Sequence, residues 1–225
     1  MHNERRLVLG THNKKKGIEL ADLLAPHGFA LRTLADVSDA IEVDETGTAF
    51  AENAVLKATV QAQHLGCWVL GEDSGLAVDA LNGGPGVYSA RFAGTDATDE
   101  TNITKLLQEL ADIPLERRTA HYICHAVLSD PLGNVRAESE DYCRGRILFE
   151  PSGRGGFGYD PLFEIPEYHR TFGELGSTVK TVLSHRSRAM RTILPQIIAL
   201  ANSGEWELAG ETCREKEQLK AKPTR

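Results

Sequence analysis

Apolar and polar positions along the chain fall into blocks of changing period. Residues 5–10 (RRLVLG) end in a short apolar run and predict a first strand, and residues 29–34 predict a second. Between them, position 13 to about 27 predicts a helix, ended by Pro26 and Gly28. The clearest periodicity comes next. Ala51, Ala54, Val55, Ala58, Ala62 and Leu65 recur at helical spacing and give one apolar face, with Thr48 placed to cap the helix and Gly66 to stop it. Cys67-Trp68-Val69-Leu70 reads as a buried strand that runs out into Gly71-Glu72-Asp73-Ser74-Gly75. Residues 82–94 are a glycine-rich loop, and 99 to about 111 a helix closed by Pro114. Residues 119–129 and 135–144 predict two strands joined by the turn Asp130-Pro131-Leu132-Gly133-Asn134. A second glycine-rich loop covers 153–163. A last helix runs from about His185 to Ala201, and Pro195 inside it predicts a kink. Strands alternate with helices early and a hairpin follows, so the fold class is α/β with a mixed sheet.

The length of 225 residues allows one large domain or two lobes sharing a sheet. Hydrophobic residues at 41% and charged residues at 25% exclude disorder for the chain as a whole. Lys+Arg 25 against Asp+Glu 32 leaves a net charge of −7, which argues against a general nucleic-acid binder. Any polyanionic ligand must therefore meet a local cluster of cations or a metal ion. No run approaches the ~18 apolar residues of a membrane span, and Leu7-Val8-Leu9 is too brief for a signal-peptide core, so no membrane partner is expected. Cys67, Cys124, Cys143 and Cys213 contain no CxxC pair and are expected as reduced thiols of a cytoplasmic protein. Residues 1–202 are expected to form the domain. Residues 203–225, dense in both acids and bases, are expected to be a disordered, charged tail.

Three local patterns carry candidate chemistry. Thr11-His12-Asn13-Lys14-Lys15-Lys16 lies between a strand and a helix, where free backbone N–H groups form an anion site. Lysines there oppose the helix dipole, each at a cost of roughly 0.3–1 kcal/mol, unless an anion sits on them. Ser184-His185-Arg186 repeats the anomaly at the start of the last helix, with Ser184 as N-cap and Lys180 just upstream. Glu72-Asp73 is an acidic pair just past a buried strand, and neighbouring carboxylates need solvent, hydrogen bonds or a cation to relieve their repulsion. Hard oxygen ligands of this kind suit Mg²⁺. Asp44-Glu45 is a second acidic pair, for which helix-dipole stabilisation is the simpler account. Lys57, away from the alanine face, reads by default as a surface lysine. Phe157, flanked by glycines in Gly155-Gly156-Phe157-Gly158-Tyr159-Asp160-Pro161, either stacks on a base or plugs the core. His121 and His125 lie about 13 Å apart along a strand and cannot share one ion.

Taken together, Thr11–Lys16, GTAFAENAVLKA (47–58), GEDSGLAVDALNGGPGVYSARFAG (71–94), GGFGYDPLF (155–163), and Lys180 with Ser184-His185-Arg186 resemble the inosine/xanthosine triphosphate pyrophosphatase family, in family order and with similar spacing. The resemblance runs from Leu7 to about Ala201. It implies an elongated α/β fold, with a long mixed sheet flanked by helices and two lobes around a central cleft, usually as a homodimer. It implies hydrolysis of non-standard purine nucleoside triphosphates (ITP, dITP, XTP) to the monophosphate and pyrophosphate with Mg²⁺.

Carried over by position, Thr11, His12, Asn13, Lys14, Lys15, Lys16 and Lys57 would hold the triphosphate. Glu45 and Asp73 would bind the metal. Asp73 would also accept the proton of the attacking water, and Ser74 would touch the substrate. Phe157, Gly158, Tyr159, Asp160, Lys180, His185 and Arg186 would surround base and sugar. Glu72 stands where many relatives have Asp. A pyrophosphatase for modified pyrimidine nucleotides and a nucleotide-binding sensor without turnover are the alternatives.

Overall fold

The computed structural model describes residues 5–206. Seven strands form one sheet: β1 (Arg5–Gly10), β2 (Phe29–Thr33), β3 (Val69–Val78), β4 (Thr119–Ser129), β5 (Val135–Ile147), β6 (Phe163–Ile165) and β7 (Arg170–Thr171). Their order across the sheet is β2-β1-β3-β4-β5-β6-β7. β1 runs parallel to β2 and β3, and β6 runs antiparallel to β5 and β7, so the sheet is mixed as the alternation of elements predicts. The helices are α1 (Lys14–Leu24), α2 (Phe50–Leu65), α3 (Asp99–Glu109), α4 (Phe172–Leu183) and α5 (His185–Asn202).

The chain separates into two compact units. The first contains the chain up to Asp73, His125–Glu140 and the chain from Ala189 onward; the second contains Ser74–Cys124 and Asp141–Arg188. Each has its own core. In the first, Leu7, Leu9 and Leu70 of the sheet pack with Leu20 and Leu24 of α1 and Ile193 and Ile197 of α5. In the second, Leu76, Val78, Tyr122 and Phe163 pack with Leu106 of α3 and Phe172 of α4.

The structure departs from the sequence reading in several places. β3 is ten residues long and nearly all buried, so Glu72, Asp73 and Ser74 lie inside a strand rather than beyond one. Charged residues in mid-strand hid its continuation. Its ladder with β1 nevertheless stops at Gly10 and Gly71, which leaves Glu72 and Asp73 just past the end of β1. Thr48 does not cap α2. Its N–H (2.7 Å) and hydroxyl (3.2 Å) both donate to the Glu52 carboxylate, and Ala49 occupies the cap position.

Helix α4 was not foreseen, because Gly173 and Gly176 weaken its periodicity, and Gly176 has non-helical backbone. The Thr171–Glu174 capping box that opens it was a readable signal. Trp206, counted above with the tail, is buried. Trp206 stacks on Trp68 with ring centroids 4.2 Å apart, and Glu205 pairs with Arg136. The rest of the tail lies outside the described residues. Cys124 and Cys143 are free and buried as expected, but Cys67 is disulfide-bonded, a pairing that spacing along the chain did not reveal.

The α2–β3 approach depends on one missing side chain. A Cβ on Gly71 would sit 2.7 Å from the Ala58 nitrogen and 2.9 Å from the Ala54 carbonyl oxygen, both backbone atoms of α2. Gly71→Ala is expected to push α2 off the strand and cost about 1–3 kcal/mol, measured as a lower denaturant midpoint.

Candidate active site

Consecutive residues of a strand point to opposite faces, and this is how two neighbouring carboxylates meet different helices. Glu72, 1% exposed, pairs with Lys16 of α1 at 3.0 Å. Asp73, also buried, pairs with Lys57 of α2 at 2.7 Å. Lys57 reaches Glu45 as well, at 3.1 Å, from the loop that precedes α2. One ammonium thus bridges two carboxylates that lie 28 positions apart in the sequence. The surface lysine expected at position 57 is instead part-buried, because the alanine face of α2 lies flat on the sheet. Ala54 and Ala58 pack on Val127 and leave the adjoining stripe no room to face water.

The charges do not balance locally. Burial is the largest influence on Lys57 and acts to lower its pKa. Asp73, Glu72 and Glu45 together outweigh it and hold the ammonium above its ordinary value. Burial also dominates at Asp73 and raises its pKa. Lys57 and Lys16 oppose that rise, Glu45 adds to it, and the carboxyl ends above its usual range. Replacing such a buried ionic group with apolar residues is often neutral or stabilising, so fold stability alone does not account for it. Among the described residues, no group of three or more His, Cys, Asp or Glu side chains is arranged to hold a metal ion. Glu45 and Asp73 are the two carboxylates joined through the Lys57 ammonium.

The first turn of α1 differs from the open anion site predicted. The Asn13 side-chain oxygen accepts the N–H groups of Lys15 (3.0 Å) and Lys16 (3.2 Å). Lys16 is turned inward, while Lys14, Lys15 and His12 are exposed. His12 Nε2 lies 3.4 Å from the Ile41 carbonyl oxygen, and the Thr11 hydroxyl accepts the Asn13 N–H at 3.1 Å.

The second unit carries a separate cluster. Asp160 Oδ2 accepts from the Phe157 N–H (2.8 Å) and from Lys180 Nζ (2.6 Å), and the Lys180 ammonium lies 4.1 Å from the Phe157 ring centre. Gly158 continues the same turn with positive φ. Arg186, 1% exposed, donates from Nη2 to the Ser74 hydroxyl at 2.8 Å. His185 stacks on Tyr122, with centroids 4.7 Å apart and planes 13° from parallel. Ser184 caps α5 as predicted, accepting the Ser187 N–H at 3.2 Å. The Tyr159 side chain is not available to a ligand. It lies in the core, its hydroxyl donates to the Ser89 carbonyl at 2.9 Å, and burial pushes its pKa up.

The structure therefore gathers Lys16, Glu45, Lys57 and Asp73 in one unit and Ser74, Phe157, Asp160, Lys180, His185 and Arg186 in the other. It adds two residues to which the sequence gives no role, Tyr122 behind His185 and Asn53, and it makes Glu72, half of the acidic pair read from the sequence, the partner of Lys16. The signal for Asn53 was its place four residues before Lys57, on the same helical stripe.

Fold and clusters define a mixed α/β protein in which β3, an interior strand of the sheet, buries a carboxylate pair against lysines from two helices. The chain belongs to the Ham1 family, whose model matches residues 7–196. It is 59% identical over 197 residues to a dITP/XTP pyrophosphatase of Rhodopirellula baltica, an alignment that covers 88% of this chain and 95% of the relative. It superposes on a HAM1 protein from Coxiella burnetii with a TM-score of 0.78 at 35% identity, covering 86% of this chain and 98% of that one. A nucleoside-triphosphatase / dITP/XTP pyrophosphatase from Mycobacterium abscessus matches with a TM-score of 0.69 at 42% identity, covering 84% of this chain and 99% of the other.

The raised Asp73 pKa has a consequence for stability. The folded state binds the Asp73 proton more tightly than the unfolded chain does. Ionisation therefore costs stability, which falls as pH rises from the unfolded value of 3.8 through the higher folded value. In EDTA-treated protein at pH 7, Asp73→Asn is expected to melt at a higher temperature, by about 2–4 °C per kcal/mol recovered. The gain should vanish below pH 4 in a thermal scan.

Proposed function

We propose that this chain is a dITP/XTP pyrophosphatase: it hydrolyses non-standard purine nucleoside triphosphates (ITP, dITP and XTP) to the monophosphate and pyrophosphate. The observation that carries this reading is Lys57 held at 2.7 Å from the buried Asp73 and 3.1 Å from Glu45 in a part-buried centre. The names of the relatives above agree with it.

The triphosphate is assigned to the Asp73 cluster. Lys16 and Lys57 offer positive charge to phosphate oxygens there, and half-buried Thr11 with the exposed residues 12–15 adds to it. Water attacks the α-phosphorus. Its oxygen bonds to phosphorus, the bond from that phosphorus to the bridging oxygen of the β-phosphate breaks, and pyrophosphate leaves. The proton lost by water goes to the Asp73 carboxylate, whose raised pKa makes it a better acceptor than an ordinary aspartate.

The donor set fits Mg²⁺, which takes one or two carboxylates and completes its shell with waters and phosphate oxygens rather than needing a protein cage. Glu45 and Asp73 would hold it, and when bound it would supply positive charge to the phosphate oxygens.

The family resemblance gives base and sugar to Phe157, Asp160, Lys180, His185 and Arg186. The 6-oxygen of hypoxanthine or xanthine accepts where adenine's amine donates, so a buried donor there rejects adenine by being left unpaired. His185 and Arg186 are the donors we assign to it, Phe157 offers a ring face, and Asp160 and Lys180 brace the loop that presents it. A homodimer and a cytoplasmic location follow the family resemblance. A mass twice that of the chain in light scattering is the expected result for the first. Among the described residues no helix is long and apolar enough to cross a membrane.

Two experiments test the assignment. Asp73→Asn is expected to lose roughly 10²–10⁴-fold in turnover while still binding nucleotide, read as pyrophosphate release from ITP with Mg²⁺. Near-normal turnover overturns the role of Asp73. Arg186→Ala is expected to narrow the preference for ITP over ATP. Equal loss on every nucleotide in a panel overturns base reading by Arg186, and a panel that favours modified pyrimidines overturns the purine assignment.

A further inference from the structure

We propose that Asn53 is a positioning residue for this reaction: its amide ties the Asp73 carboxylate to the loop that carries Glu45. The inference rests on the reading above, in which Asp73 and Glu45 serve the chemistry.

Asn53 is fully buried, in the first turn of α2. A buried amide is costly unless both ends are hydrogen-bonded, and here both are. The Gly47 N–H donates to Oδ1 at 2.8 Å, and Nδ2 donates to Asp73 Oδ2 at 3.3 Å. The orientation is not ambiguous. A backbone N–H can only donate, so the amide oxygen must face Gly47 and the amide nitrogen must face Asp73. Gly47 lies two residues after Glu45, and its approach requires the missing side chain, since a Cβ there would fall 2.6 Å from Asn53 Oδ1.

The two oxygens of Asp73 are thus taken by two residues of one helical stripe: Oδ1 by Lys57 and Oδ2 by Asn53. Lys57 adds the second tie to Glu45. A lysine chain is flexible, whereas an asparagine amide is short and planar. Asn53 therefore sets the plane of the Asp73 carboxylate and its separation from the Glu45 loop, while Lys57 supplies charge. An alanine at 53 would continue the apolar surface of α2 without breaking the helix, so the helix itself does not require the amide.

Asn53→Ala and Gly47→Ala test this, the first from the helix side and the second from the loop side. Both are expected to lower kcat on ITP by about 10–100-fold, the scale of a small misplacement of reacting groups, with KM changed less than threefold. Binding of Mn²⁺ alone, followed by calorimetry, is expected to weaken about tenfold in both. The double variant should lose no more than the worse single one, because both break the same clamp. If Asn53→Ala does not fold, as judged by circular dichroism, Gly47→Ala carries the test. Wild-type kcat and Mn²⁺ affinity in the folded variants, or losses that multiply in the double variant, overturn the proposal. Asp73→Asn run alongside separates the two levels. Inactive Asp73→Asn with normal Asn53→Ala refutes the clamp alone, and active Asp73→Asn refutes the reading beneath it.

Discussion

A single ammonium group shared by two carboxylates organises the first unit. For Lys57 to stand between Asp73 and Glu45, α2 must lie close against β3, and the sequence provides for this at several levels. Alanines 54 and 58 keep the helix surface low, and Gly71 removes the side chain that would hold the backbones apart. Asn53 then fills the remaining polar position on the same stripe. The helix is amphipathic in an unusual sense: its buried side carries an apolar strip for packing beside a polar strip for charge.

The electrostatics show why such a centre suits a polyanion although the chain carries net charge −7. Two lysines meet three carboxylates in short ion pairs, and Glu72 and Asp73 are buried while Lys16, Lys57 and Glu45 keep some contact with solvent. Asp73 is held partly against its own ionisation, while Lys57 is held firmly charged. A centre of this kind is poor for stability and useful for chemistry, since a carboxylate whose charge is costly accepts a proton more readily.

The second unit uses buried cations differently. Lys180 is paired with Asp160 and lies against the Phe157 ring, so one charge braces the glycine-rich turn from two directions. Arg186 reaches Ser74, the residue immediately after Asp73 in β3. The cationic start of α5, odd for a helix dipole, is explained in part by these partners. At the start of α1, Lys16 is turned inward to the Glu72 carboxylate.

Periodicity and punctuation along the chain were enough to determine the α/β class, β1, β2, α1, α2, α3, β4, β5, α5, and the Asp130–Asn134 turn, because each carries its own local pattern of apolar spacing and stop signals. The residues of the site could be named from local anomalies: acids inside an apolar run, cations at helix starts, and glycines around an aromatic. Their partners could not be read this way. Which lysine meets which carboxylate depends on helices laid across a sheet, and that Tyr159 serves the core while Phe157 remains half-exposed depends on which way one turn rolls. Glu45 and Asp73, 28 positions apart, become one centre only when α2 packs on β3. Long-range packing decides such distances, and the chain's own order carries no direct record of them.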